Sequence, residues 1–286
     1  MITSYFTNQI ARHSEQDFTQ SINKTTCFRF LEEARVQMMR DRNFDINEVH
    51  LSHVLMVLYK CNIRFFKPIK FFDEIKIESS TIQVKKVRGI LKQIGRRMSD
   101  NVECFEADAY WAYVPKNNLG KEKTVEFATR FAGDADGFLE PIPLEIYPLE
   151  NTVFPFECSF ETRPYEMDGF NHLNNCIYYS YFETAAYQYL KVFIPWDEIF
   201  SKRIIVDVNL AQIDFIQPVF SFEKFSIGVI PLEINNPDLK LGLMLKSDSG
   251  ELKSKCILHI KLKNNSTETK SLLIEAFEKM GHIKLG

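Results

Sequence analysis

Arg163-Pro164-Tyr165-Glu166-Met167-Asp168-Gly169-Phe170-Asn171-His172-Leu173-Asn174-Asn175 leads into a segment ending near Lys191. In it apolar residues return as Ile177/Tyr178, Tyr181/Phe182, Ala185/Ala186, Tyr189/Leu190 and Phe193. A period near four gives one continuous apolar face, so the segment is expected to be a long, heavily buried helix. Asp168-Gly169 just ahead favours a tight turn, because Gly tolerates positive φ and Asp bonds its own backbone. An acidic side chain is thereby held against the first turn of the helix, where backbone N–H groups lack partners and the dipole is positive. A carboxylate beside an anion site suits acyl transfer, in which a carbonyl oxygen becomes negative in the transition state.

Asp168, His172, Asn174-Asn175, Tyr178, Tyr181 and Glu183 together resemble the Asp-x-x-x-His-x-Asn-Asn-x-x-Tyr-x-x-Tyr-x-Glu signature of hot-dog-fold thioesterases. That group includes the 4-hydroxybenzoyl-CoA thioesterase-like enzymes and the tandem acyl-acyl-carrier-protein thioesterases. Several fixed spacings match at once, which makes the resemblance far more specific than a lone Asp or His.

Composition sets the frame. The 286 residues suit one large domain or two ordinary ones, and 45% hydrophobic residues with 25 phenylalanines supply ample core. A net charge of only −3 does not suggest a nucleic-acid partner. The cysteines Cys27, Cys61, Cys104, Cys158, Cys176 and Cys256 are scattered singly, as expected of reduced thiols in a cytoplasmic protein. No signal-peptide pattern is visible in Met1 to Phe6, and no apolar run approaches the ~20 residues that span a bilayer. No metal or redox cofactor is implied, since H-x-x-x-H, C-x-x-C and G-x-G-x-x-G patterns are missing.

The opening stretch has an earlier copy. An offset of 151 residues pairs Arg12 with Arg163, Glu15 with Glu166, Asp17 with Asp168, Asn23 with Asn174 and Glu32 with Glu183. The helical phase repeats too, through Thr26/Cys27, Phe30/Leu31, Ala34/Arg35 and Met38/Met39. The chain therefore reads as a tandem repeat: an N-terminal module at 1–115, a connection at 116–157 and a C-terminal module at 158–286. The first copy keeps its Asp but has Ser21 for His172, Lys24 for Asn175 and Cys27 for Tyr178.

In the first module a helix from Thr25 to Arg42 is followed by a helical piece around Leu51 to Leu58. Strands are then expected at Asn62 to Phe66, Glu74 to Lys86, Gly89 to Met98 and Val102 to Val114. The second module repeats the order with Ile204 to Phe215, Phe222 to Ile234, Lys240 to Lys246 and Leu252 to Lys263, then an amphipathic helix from Thr267 to Met280. Phe65-Phe66-Lys67-Pro68 aligns with Phe215-Ile216-Gln217-Pro218, so the repeat extends into the sheet. The fold class is α+β, a long helix against an antiparallel sheet twice over. The resemblance implies two hot-dog modules packed as a pseudo-dimer.

Asp168 is the leading catalytic candidate, against its reading as a turn or cap residue. By resemblance it attacks a thioester carbonyl or activates water for that attack. His172 and Asn174 join it as catalytic candidates that position substrate or assist proton transfer, while Asn171 or Asn174 is also expected to cap the helix. Gly169, Phe170, Asn171 and Asn175 are candidate substrate contacts. Many acyl-carrier-protein thioesterases carry Asn where this chain has Phe170, with Asn171 beside it as a substitute. Glu183 reads as a paired structural carboxylate.

Lys85, Lys86 and Arg88, with Lys92, Arg96 and Arg97, form either a solvated edge or a docking patch for CoA phosphates or an acidic carrier protein. The function expected by resemblance is hydrolysis of fatty acyl thioesters carried by acyl carrier protein or CoA. The alternatives are an aryl or short-chain acyl-CoA thioesterase and a non-catalytic acyl-thioester binding protein. No membrane partner is expected; a homodimer of the double module is compatible with the resemblance.

Overall fold

A computed structural model describes residues 4–45, 48, 51–132, 141–145, 147–149, 152–263 and 267–281. The chain divides into two compact units, Met1–Pro143 and Leu144–Gly286.

In unit 1, the strands are β1 (Tyr5–Ile10), β2 (Val54–Phe65), β3 (Glu74–Lys85), β4 (Arg88–Arg97) and β5 (Glu103–Pro115). They are antiparallel neighbours in the order β1-β3-β4-β5-β2. Helix α1 (Lys24–Asp41) lies against β1 and β3 and buries Cys27, Phe30, Leu31, Ala34 and Met38, the face that its period predicts. Unit 2 repeats the plan with β6 (Phe156–Glu161), β7 (Ile205–Phe215), β8 (Lys224–Asn235), β9 (Asp238–Ser247) and β10 (Leu252–Lys263), ordered β7-β10-β9-β8-β6. Its long helix (Asn175–Leu190) buries Tyr178, Tyr179, Phe182, Ala185, Ala186, Tyr189 and Leu190 against β6 and β8.

Two expectations are corrected. The helical piece placed at Leu51 to Leu58 gives way to strand at Val54, where β2 begins and pairs with β5. A short apolar run fits either element by periodicity, and pairing with a neighbouring strand decides it. Secondly, the stretch expected to be a connection carries α2 (Lys121–Ala132), whose Phe127, Ala128 and Phe131 pack on Trp111, Tyr113 and Met38. It is the counterpart of the C-terminal helix Thr267–Gly281, which buries Leu273, Ala276, Phe277 and Met280. In chain order the helices of unit 2 are α3 (Asn175–Leu190), α4 (Trp196–Ser201) and α5 (Thr267–Gly281). Each unit therefore ends in a helix after its last strand. Beyond those expectations, β1 and β6 add a short first strand to each unit. These six-residue runs lack a distinguishing pattern of their own and are fixed by pairing to β3 and β8.

Candidate active site

The loop before α3 is built by its own hydrogen bonds. A 3-10 turn at Pro164–Glu166 is closed reciprocally: Arg163 N–H donates to Glu166 Oε2 (2.8 Å) and Glu166 N–H to the Arg163 carbonyl (3.0 Å). Glu166 is buried and also accepts from the Tyr181 hydroxyl of α3 at 2.8 Å. Burial and this carboxylate push the Tyr181 phenol well above its ordinary pKa. The loop is thus tied to the helix two turns in.

Asp168 N–H donates to the His172 carbonyl (2.7 Å), and Asp168 Oδ1 accepts from Phe170 N–H (2.8 Å) and His172 N–H (3.0 Å). One carboxylate oxygen therefore orders the loop. The other, Oδ2, takes no protein hydrogen bond among the described residues. Asp168 is half-buried and near enough to the buried Tyr178 phenol for its charge to add to the burial that keeps that phenol protonated. Tyr178 in turn accepts from Val219 N–H at 3.2 Å.

The positive φ expected at Gly169 occurs instead at Asn171 (φ 61°). Asn tolerates the left-handed region better than most side-chain-bearing residues, which leaves Gly169 as an exposed link with open space beside it. Asn171 and Phe170 are exposed. His172 lies before the helix, its ring edge-on to Phe220 at 5.5 Å, and neither ring nitrogen has a protein partner among the described residues. Asn174 is the N-cap, with its side chain accepting from Cys176 N–H at 3.0 Å. The cap consumes part of the anticipated anion site. Among the described residues, Gly169 N–H and Asn175 N–H remain without protein acceptors. Glu183 accepts from the buried Tyr179 hydroxyl at 2.8 Å, as a paired carboxylate should.

The basic run separates into two groups. Lys92 pairs with Glu106 (3.2 Å), Arg96 with Glu78 (2.6 Å) and Glu103 (3.4 Å), and Arg97 with Asp73 (3.3 Å) and Asp100 (2.9 Å). Lys85, Lys86 and Arg88 stay exposed around the β3–β4 turn. Half of the sequence cluster is thus spent within the sheet. Among the described residues no group of three or more His, Cys, Asp or Glu side chains is arranged to hold a metal ion, and no helix is long and apolar enough to cross a membrane.

The loop before α1 has the same backbone. Asp17 N–H donates to the Ser21 carbonyl (2.8 Å), Asp17 Oδ1 accepts from Thr19 N–H (2.8 Å), and Gln20 takes the positive φ (63°). Asn23 caps α1 as Asn174 caps α3. The repeated charged set thus marks one loop design used twice.

A long helix on an antiparallel sheet, repeated twice along the chain, is the plan of a hot-dog protein, and the family comparison agrees. The model of the thioesterase-like superfamily matches residues 11–110 and 162–272. The chain belongs to that superfamily, and each unit has its hot-dog fold. Solved structures with the same tandem fold include an acyl-ACP thioesterase from Bacteroides thetaiotaomicron (TM-score 0.68, 11% identity, 90% of this chain and 98% of that one). A 12:0-ACP thioesterase from Umbellularia californica gives TM-score 0.70 and 10% identity, over 91% of this chain and 94% of that one. A provisionally assigned oleoyl thioesterase from Lactobacillus plantarum gives 0.73 and 11%, over 92% and 98%. No curated protein is matched by the sequence.

Proposed function

We propose that the protein hydrolyses fatty acyl thioesters, with acyl groups on acyl carrier protein as the leading substrates, and that the reaction takes place at the Asp168 loop. The observation that carries the reading is Asp168 itself, tied through Oδ1 and open at Oδ2, in the helix-start loop of a thioesterase-like chain. Likeness over nearly the whole chain to proteins named as acyl-ACP thioesterases supports the carrier-bound acyl group.

In this reading Asp168 Oδ2 removes a proton from water, and the hydroxide adds to the thioester carbonyl. The oxyanion is met by the N–H groups of Gly169 and Asn175. Collapse breaks the C–S bond, and the thiolate takes up a proton as the free acid departs. Direct attack by Asp168, through an acyl-enzyme anhydride, is the variant route. The His172 ring nitrogens serve proton transfer or orientation, Asn174 holds the helix start in place, and exposed Phe170 and Asn171 line the approach.

The test is thiol release from acyl-carrier-protein and acyl-CoA substrates of graded length, with Asp168→Ala and Asp168→Asn in parallel. Turnover falling about 10²–10⁴-fold in both variants is expected. Turnover unchanged in either variant refutes the assignment.

A further inference from the structure

The two helix-start loops share their backbone-to-backbone hydrogen bonds, which makes their side-chain differences meaningful. Ile22 N–H donates to the Ile69 carbonyl as Leu173 N–H does to Val219. Lys67 N–H donates to Cys104 as Gln217 N–H does to Lys253, and Lys70 N–H to Asp73 Oδ2 as Phe220 N–H to Glu223 Oε2. Position by position, unit 2 carries Phe170, His172, Asn175, Gln217 and Phe220 where unit 1 carries Thr19, Ser21, Lys24, Lys67 and Lys70. Two positions have become hydroxyls and three have become ammonium groups.

The connection 66–70 runs alongside 21–24 through the bond from Ile22 N–H to the Ile69 carbonyl. Lys70 Nζ donates to Ser21 Oγ at 3.2 Å, and Lys24 Nζ sits over the Phe65 ring at 4.4 Å. Lys67 and Lys70 are exposed and Lys24 half-buried. Of the acidic groups nearby, Glu15 pairs with Arg29 (2.6 Å) and Asp73 accepts from Lys70 N–H and pairs with Arg97, while Asp17 is tied through Oδ1 to Thr19 N–H and Oγ1 (2.6 Å), as Asp168 is tied through its own Oδ1. Three ammonium groups and the Ser21 hydroxyl, drawn from two adjoining segments, match the donors that a phosphate oxyanion requires.

We infer that the unit 1 loop binds a phosphate group, through Ser21, Lys24, Lys67 and Lys70, where unit 2 carries its Asp-His site. The inference rests on the thioesterase reading only for the source of that phosphate, the phosphorylated pantetheine arm shared by CoA and acyl carrier protein. Unit 1 then anchors thiol carriers rather than being an inactive duplicate.

Isothermal titration of the full chain with pantetheine, 4′-phosphopantetheine, 3′-dephospho-CoA and CoA tests this. The triple variant Lys24→Asn, Lys67→Gln, Lys70→Phe installs residues that unit 2 already carries at matched backbone positions, and a thermal melt verifies folding. The phosphorylated ligands are expected to bind about tenfold or more tightly than pantetheine, and the triple variant to lose that margin with pantetheine unchanged. A gain confined to CoA places the 3′-phosphate at the loop, and a gain shared by all three phosphorylated ligands places the 4′-phosphate there. Equal affinity for pantetheine and the phosphorylated ligands, or an undiminished margin in the triple variant, overturns the inference. Turnover that depends on Asp168 without a phosphate margin sinks this inference alone. A phosphate margin with turnover indifferent to Asp168 sinks only the catalytic assignment.

Discussion

The loops before α1 and α3 share a backbone and differ in chemistry. Asp17 and Asp168 fold the same turn and each accepts from the N–H two residues on, while Asp168 adds His172 N–H and Asp17 adds the Thr19 hydroxyl; Asn23 and Asn174 cap the corresponding helix starts. Only the second loop has a histidine four residues after its Asp, with neither ring nitrogen bonded to protein among the described residues, and only the first has lysines at the matched positions 24, 67 and 70. Once backbone bonds hold a loop's shape, the side chains pointing outward are free to diverge in role.

The cores diverge as well. Between α1 and its sheet, unit 1 buries a polar clasp in which Arg35 Nη1 donates to Gln93 Oε1 (3.2 Å) and Gln93 Nε2 to the Leu31 carbonyl and Ser79 Oγ (both 3.1 Å). At the matching places unit 2 has Ala186, Leu243 and Val229, all buried. The clasp locks helix to sheet by directed bonds, whereas unit 2 relies on apolar packing.

The largest expected contrast is catalytic. Asp168→Ala should cost about 10²–10⁴ in kcat, and Asp17→Ala less than about tenfold, by thiol-release kinetics. Equal losses would mean that the loops are functionally alike.

Next comes the clasp. Arg35→Ala leaves the buried Gln93 amide oxygen short of a donor and should destabilise by about 1–3 kcal/mol in urea unfolding. Adding Gln93→Leu and Ser79→Val, which rebuilds the unit 2 pattern, should recover part of that loss. A triple variant worse than the single one would show that the sheet spacing of unit 1 rejects an apolar core.

The two caps should then behave alike. Asn23→Ala and Asn174→Ala are each expected to cost about 1 kcal/mol. In Asn174→Ala a fall in turnover beyond the stability loss would reveal a role for that amide at the reacting centre.

The smallest effect concerns pH. Asp108 is fully buried opposite Asn62 on β2, held by Ile142 N–H and with Lys92 Nζ 3.8 Å away, where unit 2 has Ile257 opposite Gln212. Burial raises its pKa above the ordinary carboxylate value, with Ile142 and Lys92 opposing. Stability from its protonated form is therefore full below the unfolded pKa and lost as pH rises through the folded one. Asp108→Asn should gain in Tm relative to the parent between pH 4 and 7. A flat difference across that range would mean that Lys92 neutralises the group.

Strands β3–β5 and β7–β10 and the long helices were legible in the sequence because their apolar periods survive in both copies, and the turn at Ser247–Gly250 carries its own Gly at φ 82°. The candidate loop was legible too, since its residues lie within a dozen positions of one another. Leu51 to Leu58 misled because a short apolar run has no period that separates helix from strand until a partner strand is present. Helix α2 was hidden because its apolar face is completed only by Trp111, Tyr113 and Met38 from elsewhere in unit 1.

The sequence by itself determined the tandem repeat, the helix-on-sheet class and the Asp168–His172 loop, all of them consequences of local spacing. Tertiary structure decided which cations remain exposed in the β3–β4 region and which positions of the two loops correspond. It also decided that Lys67 and Lys70 stand beside Ser21 and Lys24, because the backbone bond between Ile22 and Ile69 joins segments far apart along the chain, and no local pattern encodes that meeting.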